Sequence, residues 1–427
     1  MILTFVIGAP LILIAFGMPI FVVFLAAAVL FAVMFLDVPL QAITTAIFGS
    51  LDHFSLLAVP LFILAGDIMA RGGIAQRLIA FIMSIVGGVR GSLGVATIAS
   101  ASAFGAMSGS SVACVAAIGK LTLPSLERHG YGRDFSVSMI TATGVIDVII
   151  PPSIPMILYA VTAQQSVTDL FLAGIVPGLI IACALSLYVM VRARLRLTAV
   201  SEPVRWRNVL VTFYRAGWAI FAPVLILGGI YGGIFTATEA AGIACIYAAA
   251  VSVLIYREIT WRGLWIIMLD SGVLVGQIMI IVAAAGAYSL LLTTSGFPSL
   301  LVSHIEGLGL PTWLLLLTIN AALLLVGSIL EPPAAILVLT PLLTPLAAKA
   351  GLDPIHFGLV VTVNLAVGLF LPPFGLNLFA SQALFKVPLG ALYRGVMPFL
   401  FIYLAALILL TYVPAVTLVP LRWMVGR

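Results

Sequence analysis

The stretch VIDVIIPPSIPMILYAVTA, Val145–Ala163, decides how the rest of the chain is read. It is apolar enough to sit inside a bilayer, yet Pro151, Pro152 and Pro155 lie at its centre with Ser153 between them. Each proline removes a backbone N–H and clashes with the preceding turn. A regular membrane helix is therefore expected to be broken here. Unwound backbone at membrane depth is tolerated only where it is buried in protein or lines a cavity.

Composition fixes the setting. Of 427 residues 63% are hydrophobic and 8% charged, against about 25% charged in a soluble domain. The apolar segments reach the length of about 20 residues that a helical crossing needs, and the alternating pattern of an outer-membrane barrel is absent. The expected fold is an all-α polytopic membrane bundle in a lipid bilayer. Met1 opens directly into apolar sequence, so no removable signal peptide is expected. The net charge of +5 calls for no nucleic-acid partner; it reflects Lys and Arg in cytoplasmic loops. The strongest such signal is RARLR (Arg192–Arg196) continued by Arg205, Arg207 and Arg215. Cys114, Cys183 and Cys245 are dispersed in apolar runs and read as free core cysteines.

The break has an echo. At an offset of 221 residues Pro124 meets Pro345, Pro151-Pro152 meets Pro372-Pro373, and Pro177 meets Pro398. Gly88, Thr97, Gly130, Thr141 and Gly174 likewise meet Gly309, Thr318, Gly351, Thr362 and Gly395. Two further interruptions complete the pairs: GAMSGSS (Gly105–Ser111) within residues 89–126, and GSILEPP (Gly327–Pro333) within 312–348. If each of these is a re-entrant hairpin, five crossings separate them (134–163, 168–191, 216–232, 236–256, 264–292). An odd number turns the second copy upside down, and inverted repeats with broken helices mark a secondary transporter and its midplane site.

The expected organisation is scaffold helices in 1–87, a first transport unit in 88–198, a connecting segment and further scaffold helices in 199–308, a second unit in 309–413, and a tail from 414 to 427. The loop 295–310 carries little positive charge and is placed on the far side. Unwound carbonyls can coordinate Na⁺, half-helix N-termini can attract an anion, and Ser and Asn oxygens add hard ligands. Intramembrane ionisable residues are site candidates by default; here these are Asp147 and Glu331, while Asp67 and Glu239 read as helix-terminal structural acids and His356 as a capping or interfacial residue. No H-E-x-x-H and no ATP-binding G-x-x-x-x-G-K-[ST] is present, so an enzyme is not expected and energy must come from an ion gradient or another subunit.

PLFILAG (Pro60–Gly66), GAMSGSSVA (Gly105–Ala113), PPSIPMILY (Pro151–Tyr159), GIVPGL (Gly174–Leu179), GIFTATEAA (Gly233–Ala241) and LPPFGLNLF (Leu371–Phe379) resemble blocks of the large membrane subunit of tripartite ATP-independent periplasmic (TRAP) transporters. The resemblance spans nearly the whole chain. It implies an elevator carrier in the bacterial inner membrane, coupled to Na⁺ and importing organic anions such as carboxylates or sialic acids. It also implies a periplasmic substrate-binding protein and a separate small four-helix membrane subunit as partners, and no organic cofactor. Carried over residue by residue, one Na⁺ site would involve Ser108, Gly109, Ser110 and Ser111 with Thr143, Gly144, Pro151, Pro152 and Ser153. The other would involve Gly327, Glu331 and Pro332 with Asn364, Pro372 and Asn377. Substrate would sit between the tips, near Ser110, Ser111, Pro152, Ser153, Glu331, Pro332, Pro373 and Asn377. Two rivals stand beside this reading: a stand-alone carboxylate symporter of similar fold using Na⁺ or H⁺, and an intramembrane hydrolase using Ser108, Ser110 or Ser111.

Overall fold

A computed structural model describes residues 8–10, 12–14, 16–36, 39–196, 203–307 and 309–425; Met1 and Arg427 lie outside them. Among the described residues the chain is helical with no strand, and nine helices are long and apolar enough to cross a membrane. The first group is α1 (Ile20–Phe31), α2 (Leu40–Leu51), α3 (Ala58–Arg71) and α4 (Ile74–Ile85). Next come α5 (Ser92–Ser108), α6 (Ser111–Arg128), α7 (Arg133–Thr143), α8 (Ile146–Ile149), α9 (Ile154–Thr162) and α10 (Val167–Leu195). The third group is α11 (Trp206–Tyr231), α12 (Ala237–Ala250), α13 (Trp261–Thr294) and α14 (Phe297–Gly307). The last is α15 (Thr312–Ile329), α16 (Pro332–Lys349), α17 (Pro354–Gly368), α18 (Leu376–Phe385), α19 (Leu389–Tyr412) and α20 (Ala415–Val425).

The offset seen in the prolines recurs in the helix ends. Both ends of α6 shifted by 221 fall on both ends of α16, and the start of α7 falls on the start of α17. The cause is local chemistry. After Ile150, whose N–H still bonds Ile146 O at 2.9 Å, Pro151 and Pro152 offer no donors. The helix resumes at Ile154 with Ser153 as N-cap, its hydroxyl accepting from Met156 N at 3.4 Å and donating to the Val148 carbonyl. Pro155 occupies the first turn of α9, where its missing N–H costs nothing and its fixed φ suits a helix start. Of the three prolines, two break the helix and the third begins the next one. The second copy breaks at Pro372 and Pro373 and resumes at Leu376. In both copies the Pro–Pro peptide is cis.

Packing is reciprocal. The restarted helix of each copy packs on the other copy's second hairpin arm, α9 on α16 and α18 on α6. The long last helices cross too, α10 onto α17 and α19 onto α7. The crossing formed by α7 to α9 is 89% buried in its apolar window, against 22% for α13, so the broken segment lies at the centre and α13 at the lipid-facing edge. α1, α2 and α3 pack on α13, α12 packs on α3, and α11 packs on α4. Trp206, Trp218, Trp261 and Trp265 are exposed on α11 and α13, as interfacial anchors of a membrane surface are.

Several expectations are corrected. The basic stretch read as a loop up to Arg215 is helical from Trp206, so Arg207 and Arg215 ride on α11. The loop expected at 295–310 contains α14, and the tail from 414 contains α20. Cys114 is buried as expected, but Cys183 is exposed on α10. His356 is not interfacial: it is 1% exposed, and its Nδ1 lies 2.8 Å from Thr417 Oγ1 of α20.

Candidate functional site

Hairpin tip and broken helix meet in the first copy. α5 ends at Ser108, and Gly109 turns the chain with φ 63°, a conformation that favours glycine. A Cβ on Gly109 would lie 3.1 Å from the Pro152 carbonyl oxygen, so tip and break are in direct backbone contact. Gly144 makes the neighbouring contact, since a Cβ there would lie 3.3 Å from Ser111 O. Ser108 Oγ accepts from Ser110 N at 3.2 Å. Ser108, Ser111, Thr143 and the Pro151–Ser153 turn are buried, while Ser110 is exposed at the tip. The Thr143 hydroxyl is committed to Met139 O at 2.6 Å, and the Ser153 hydroxyl to Val148 O.

Asn377, expected at the second tip, reaches this first one. Its Nδ2 donates to Ser111 Oγ at 2.6 Å and lies 3.4 Å from Thr141 O. Thr141 Oγ1 and Ser381 Oγ, 2.6 Å apart, extend the link between α7 and α18. Tyr403 of α19 donates to Ala142 O at 2.8 Å. The Asn377 Oδ1 is buried with no hydrogen-bond partner.

The second copy is built differently. Gly327 of α15 lies against Leu365 and Gly368 of α17, where a Cβ on Gly368 would sit 2.3 Å from the Gly327 carbonyl carbon. Asn364 donates to Asn320 Oδ1 at 2.6 Å and to Val360 O at 2.8 Å, and Asn320 donates to Thr411 Oγ1 at 3.0 Å. Asn364 Oδ1 is also buried and unpartnered. Glu331 stands at the N-cap of α16 without a capping hydrogen bond and is exposed, whereas Pro332 is buried. Pro372 is half-buried; Pro373 is exposed, and its carbonyl accepts from Tyr393 OH at 2.9 Å. The first break is sealed and the second is open to its surroundings.

Asp147 is buried with neither carboxylate oxygen hydrogen-bonded, whereas Glu239 and Asp67 have structural partners. Glu239 closes a capping box with Thr236 at the start of α12, and Asp67 accepts from Ser271 Oγ at 2.7 Å. No group of three or more His, Cys, Asp or Glu side chains that could hold a metal occurs among the described residues. The oxygens at the tips are carbonyl, hydroxyl and amide, the hard donors that suit an alkali or alkaline-earth cation. Asn320, Thr141, Ser381 and Thr411 join the site only through the fold; of these Asn320, a lone amide inside TWLLLLTINAALLLVG, carries a signal in the sequence.

The family model described as "Tripartite ATP-independent periplasmic transporter, DctM component" matches residues 7–416. The chain belongs to this family. The C4-dicarboxylate TRAP transporter large permease protein of Pseudomonas aeruginosa is 40% identical to this DctM-family chain over 90% of both lengths. The isethionate TRAP transporter permease protein of Oleidesulfovibrio alaskensis is 38% identical, covering 89% of this chain and 60% of the longer relative. Among solved structures, the YdaH transporter of Alcanivorax borkumensis, described as having an unusual topology, matches with a TM-score of 0.65 over 87% of this chain and 88% of its own, at 15% identity. That likeness is one of fold. The family and its permease relatives make the chain a multi-pass membrane transport protein, not an enzyme.

Proposed function

We propose that this chain is the permease subunit of a Na⁺-coupled importer of organic anions in the bacterial inner membrane, fed by a periplasmic binding protein and braced by a small membrane subunit. The observation that carries it is the pairing of two hairpin tips with two broken helices at one offset, each pair holding a buried amide oxygen with no partner. Such an oxygen is costly unless something enters to use it. Na⁺ fits the hard donors present, and the half-helix N-termini of α6 and α16 favour an anionic substrate. The C4-dicarboxylate and isethionate named for the relatives support a small organic anion as the substrate. Movement of the two hairpin units against the remaining helices gives alternating access of the elevator type.

The test is uptake of radiolabelled succinate by proteoliposomes holding the permease, its small subunit and the binding protein, in NaCl against choline chloride. Uptake is expected only with a Na⁺ gradient. Ser110→Ala, at an exposed position that caps nothing, is expected to raise the half-saturating Na⁺ concentration by about tenfold, the loss of one charge-assisted contact, with unchanged thermal stability. Equal uptake in the two salts sinks the Na⁺ reading. Uptake by this chain without its partners supports the stand-alone symporter instead.

A further inference from the structure

Asn364 of α17, Asn320 of α15 and Thr411 of α19 are buried polar side chains from three helices of the second copy, and they touch in a row. Asn364 Nδ2 lies 2.6 Å from Asn320 Oδ1, and Asn320 Nδ2 lies 3.0 Å from Thr411 Oγ1. The oxygen and nitrogen of an amide have nearly the same shape, so each amide is oriented by what its two ends face. Here one backbone atom orients the whole row. The end of Asn364 that meets Asn320 also lies 2.8 Å from the Val360 carbonyl oxygen. A carbonyl only accepts, so that end is the NH₂ group. Both of its hydrogens are then used, one on Val360 O and one on Asn320. The facing atom of Asn320 must therefore be its oxygen, and its nitrogen turns to Thr411, whose hydroxyl accepts. What is left over is Asn364 Oδ1, buried and without a partner.

This oxygen belongs to the second half-site. Leu365, the next residue, meets the second tip: a Cβ on Gly327 would lie 3.0 Å from Leu365 Cα. A turned Asn364 amide would present N–H groups where the oxygen now stands, and N–H groups repel a cation.

Packing does not require the row. At the offset of 221, the same three positions of the first copy are Ala99, Thr143 and Met190. Thr143 keeps only the bond to the carbonyl four residues back, Met139 O at 2.6 Å, as Asn364 bonds Val360 O. The first copy closes the same helix contacts with an alanine and a methionine in place of the amide and the hydroxyl. Buried polar groups are costly unless hydrogen-bonded, so a row that one copy does without serves something other than closure of the fold.

We propose that Asn320 and Thr411 are positioning residues for cation binding at the second half-site, holding the Asn364 amide with its oxygen free to face the ion. The proposal rests on the Na⁺-coupled reading above. Thr411 fixes Asn320, and Asn320 fixes Asn364; neither has to touch the cation. Loss of the row leaves the ligand in the protein but lets it turn. Na⁺ then binds more weakly, while transport at saturating Na⁺ continues.

Two titrations test it. In the first, the permease purified with its small subunit is heated in rising NaCl against choline chloride, and the Na⁺-dependent rise in unfolding temperature gives a half-saturating concentration. In the second, the same concentration is read from succinate uptake in proteoliposomes that also hold the binding protein. Thr411→Val removes the hydroxyl and keeps the shape, and Asn320→Leu removes the amide at similar volume. Each is expected to raise half-saturating Na⁺ at least about fivefold in both assays, the worth of one hydrogen bond, with maximal uptake retained. Thr411→Ser restores the acceptor and is expected within about twofold of wild type. Asn364→Ala raises half-saturating Na⁺ by itself, and Thr411→Val added to it changes nothing further, because the row acts only through Asn364. Thr122→Val on α6 also loses a buried hydroxyl bond, to Ile118 O at 2.8 Å. It is expected to lower the unfolding temperature and leave half-saturating Na⁺ unchanged. Where Asn320→Leu does not fold, the isosteric Thr411→Val decides. A Thr411→Val protein with wild-type half-saturating Na⁺, a rise that serine does not reverse, or the same rise in the Asn364→Ala background overturns this proposal alone. Wild-type uptake and unfolding temperature that ignore Na⁺ overturn the coupling reading and this proposal with it.

Discussion

Gly368→Ala probes the closest backbone approach at either half-site. The new Cβ would lie 2.3 Å from the carbonyl carbon of Gly327, 2.5 Å from its oxygen and 2.7 Å from its Cα. All three are backbone atoms of α15 and cannot swing aside. Carbon atoms rest at about 3.5 Å or more, so the two helices must part by about 1.2 Å along that direction. Overpacking of this kind costs about 1–3 kcal/mol. The functional effect is larger than that figure implies, because cation–ligand distances tolerate shifts of only about 0.2 Å, and Gly327 belongs to the second tip. The variant is expected to unfold at a lower temperature in a thermal-shift assay and to lose Na⁺-dependent succinate uptake. Gly276→Ala on α13 is the control, since a Cβ there meets nothing within 4 Å; it is expected to hold or gain up to about 1 kcal/mol, the helix propensity difference. A Gly368→Ala protein as stable and active as wild type, or a Gly276→Ala protein equally damaged, refutes the reasoning.

Asn377→Ala removes the 2.6 Å bond to Ser111 that ties α18 to the first hairpin. A loss of about 1–3 kcal/mol is expected from the severed buried contact, seen as a lower unfolding temperature together with reduced uptake. Thr236→Ala removes the hydroxyl that accepts from Glu239 N at 3.3 Å and donates to Glu239 Oε2 at 2.9 Å in the exposed capping box of α12. It should cost about 1 kcal/mol while uptake is unchanged, because the lost bonds are exposed and lie within the start of α12.

What the sequence made legible was whatever depends on a residue's own backbone chemistry. Pro151, Pro152, Pro372 and Pro373 cannot donate, so both breaks could be placed before any contact was known, and their common offset reappears in the ends of α6 and α16. Pro155 misleads because the same chemistry that ends a helix also starts one. Arg207 and Arg215 suggest a loop in the sequence because basic residues report the side of the membrane, whereas arginine is itself a good helix former. α14 and α20 are shorter than a crossing, so hydropathy does not mark them. The site was less legible than the breaks. Asn377 sits in the second copy's LPPFGLNLF, and only the packing of α18 on α6 carries it to Ser111. Cys183 shows the same limit, since an apolar run does not say which face of α10 turns outward.

The reciprocal packing constrains how the two half-sites can move. α9 rests on α16 while α18 rests on α6, and α10 and α19 each cross to the opposite copy's broken helix. The links are polar as well as apolar: Asn377 to Ser111, Ser381 to Thr141, Tyr403 to Ala142 O and Tyr159 to Pro354 O all join one copy to the other. Sliding one copy past the other would break each of these bonds in a buried setting, where an orphaned donor or acceptor costs about 1–3 kcal/mol. Displacing both together breaks none of them. The contacts that must yield are those to the surrounding helices, where Gly66 of α3 meets Ser108 through small side chains and backbone, the kind of surface that lets helices pass closely. On the alternating-access reading proposed above, two breaks fixed to one body, with the first sealed and the second open, would move as one unit and not gate as independent halves.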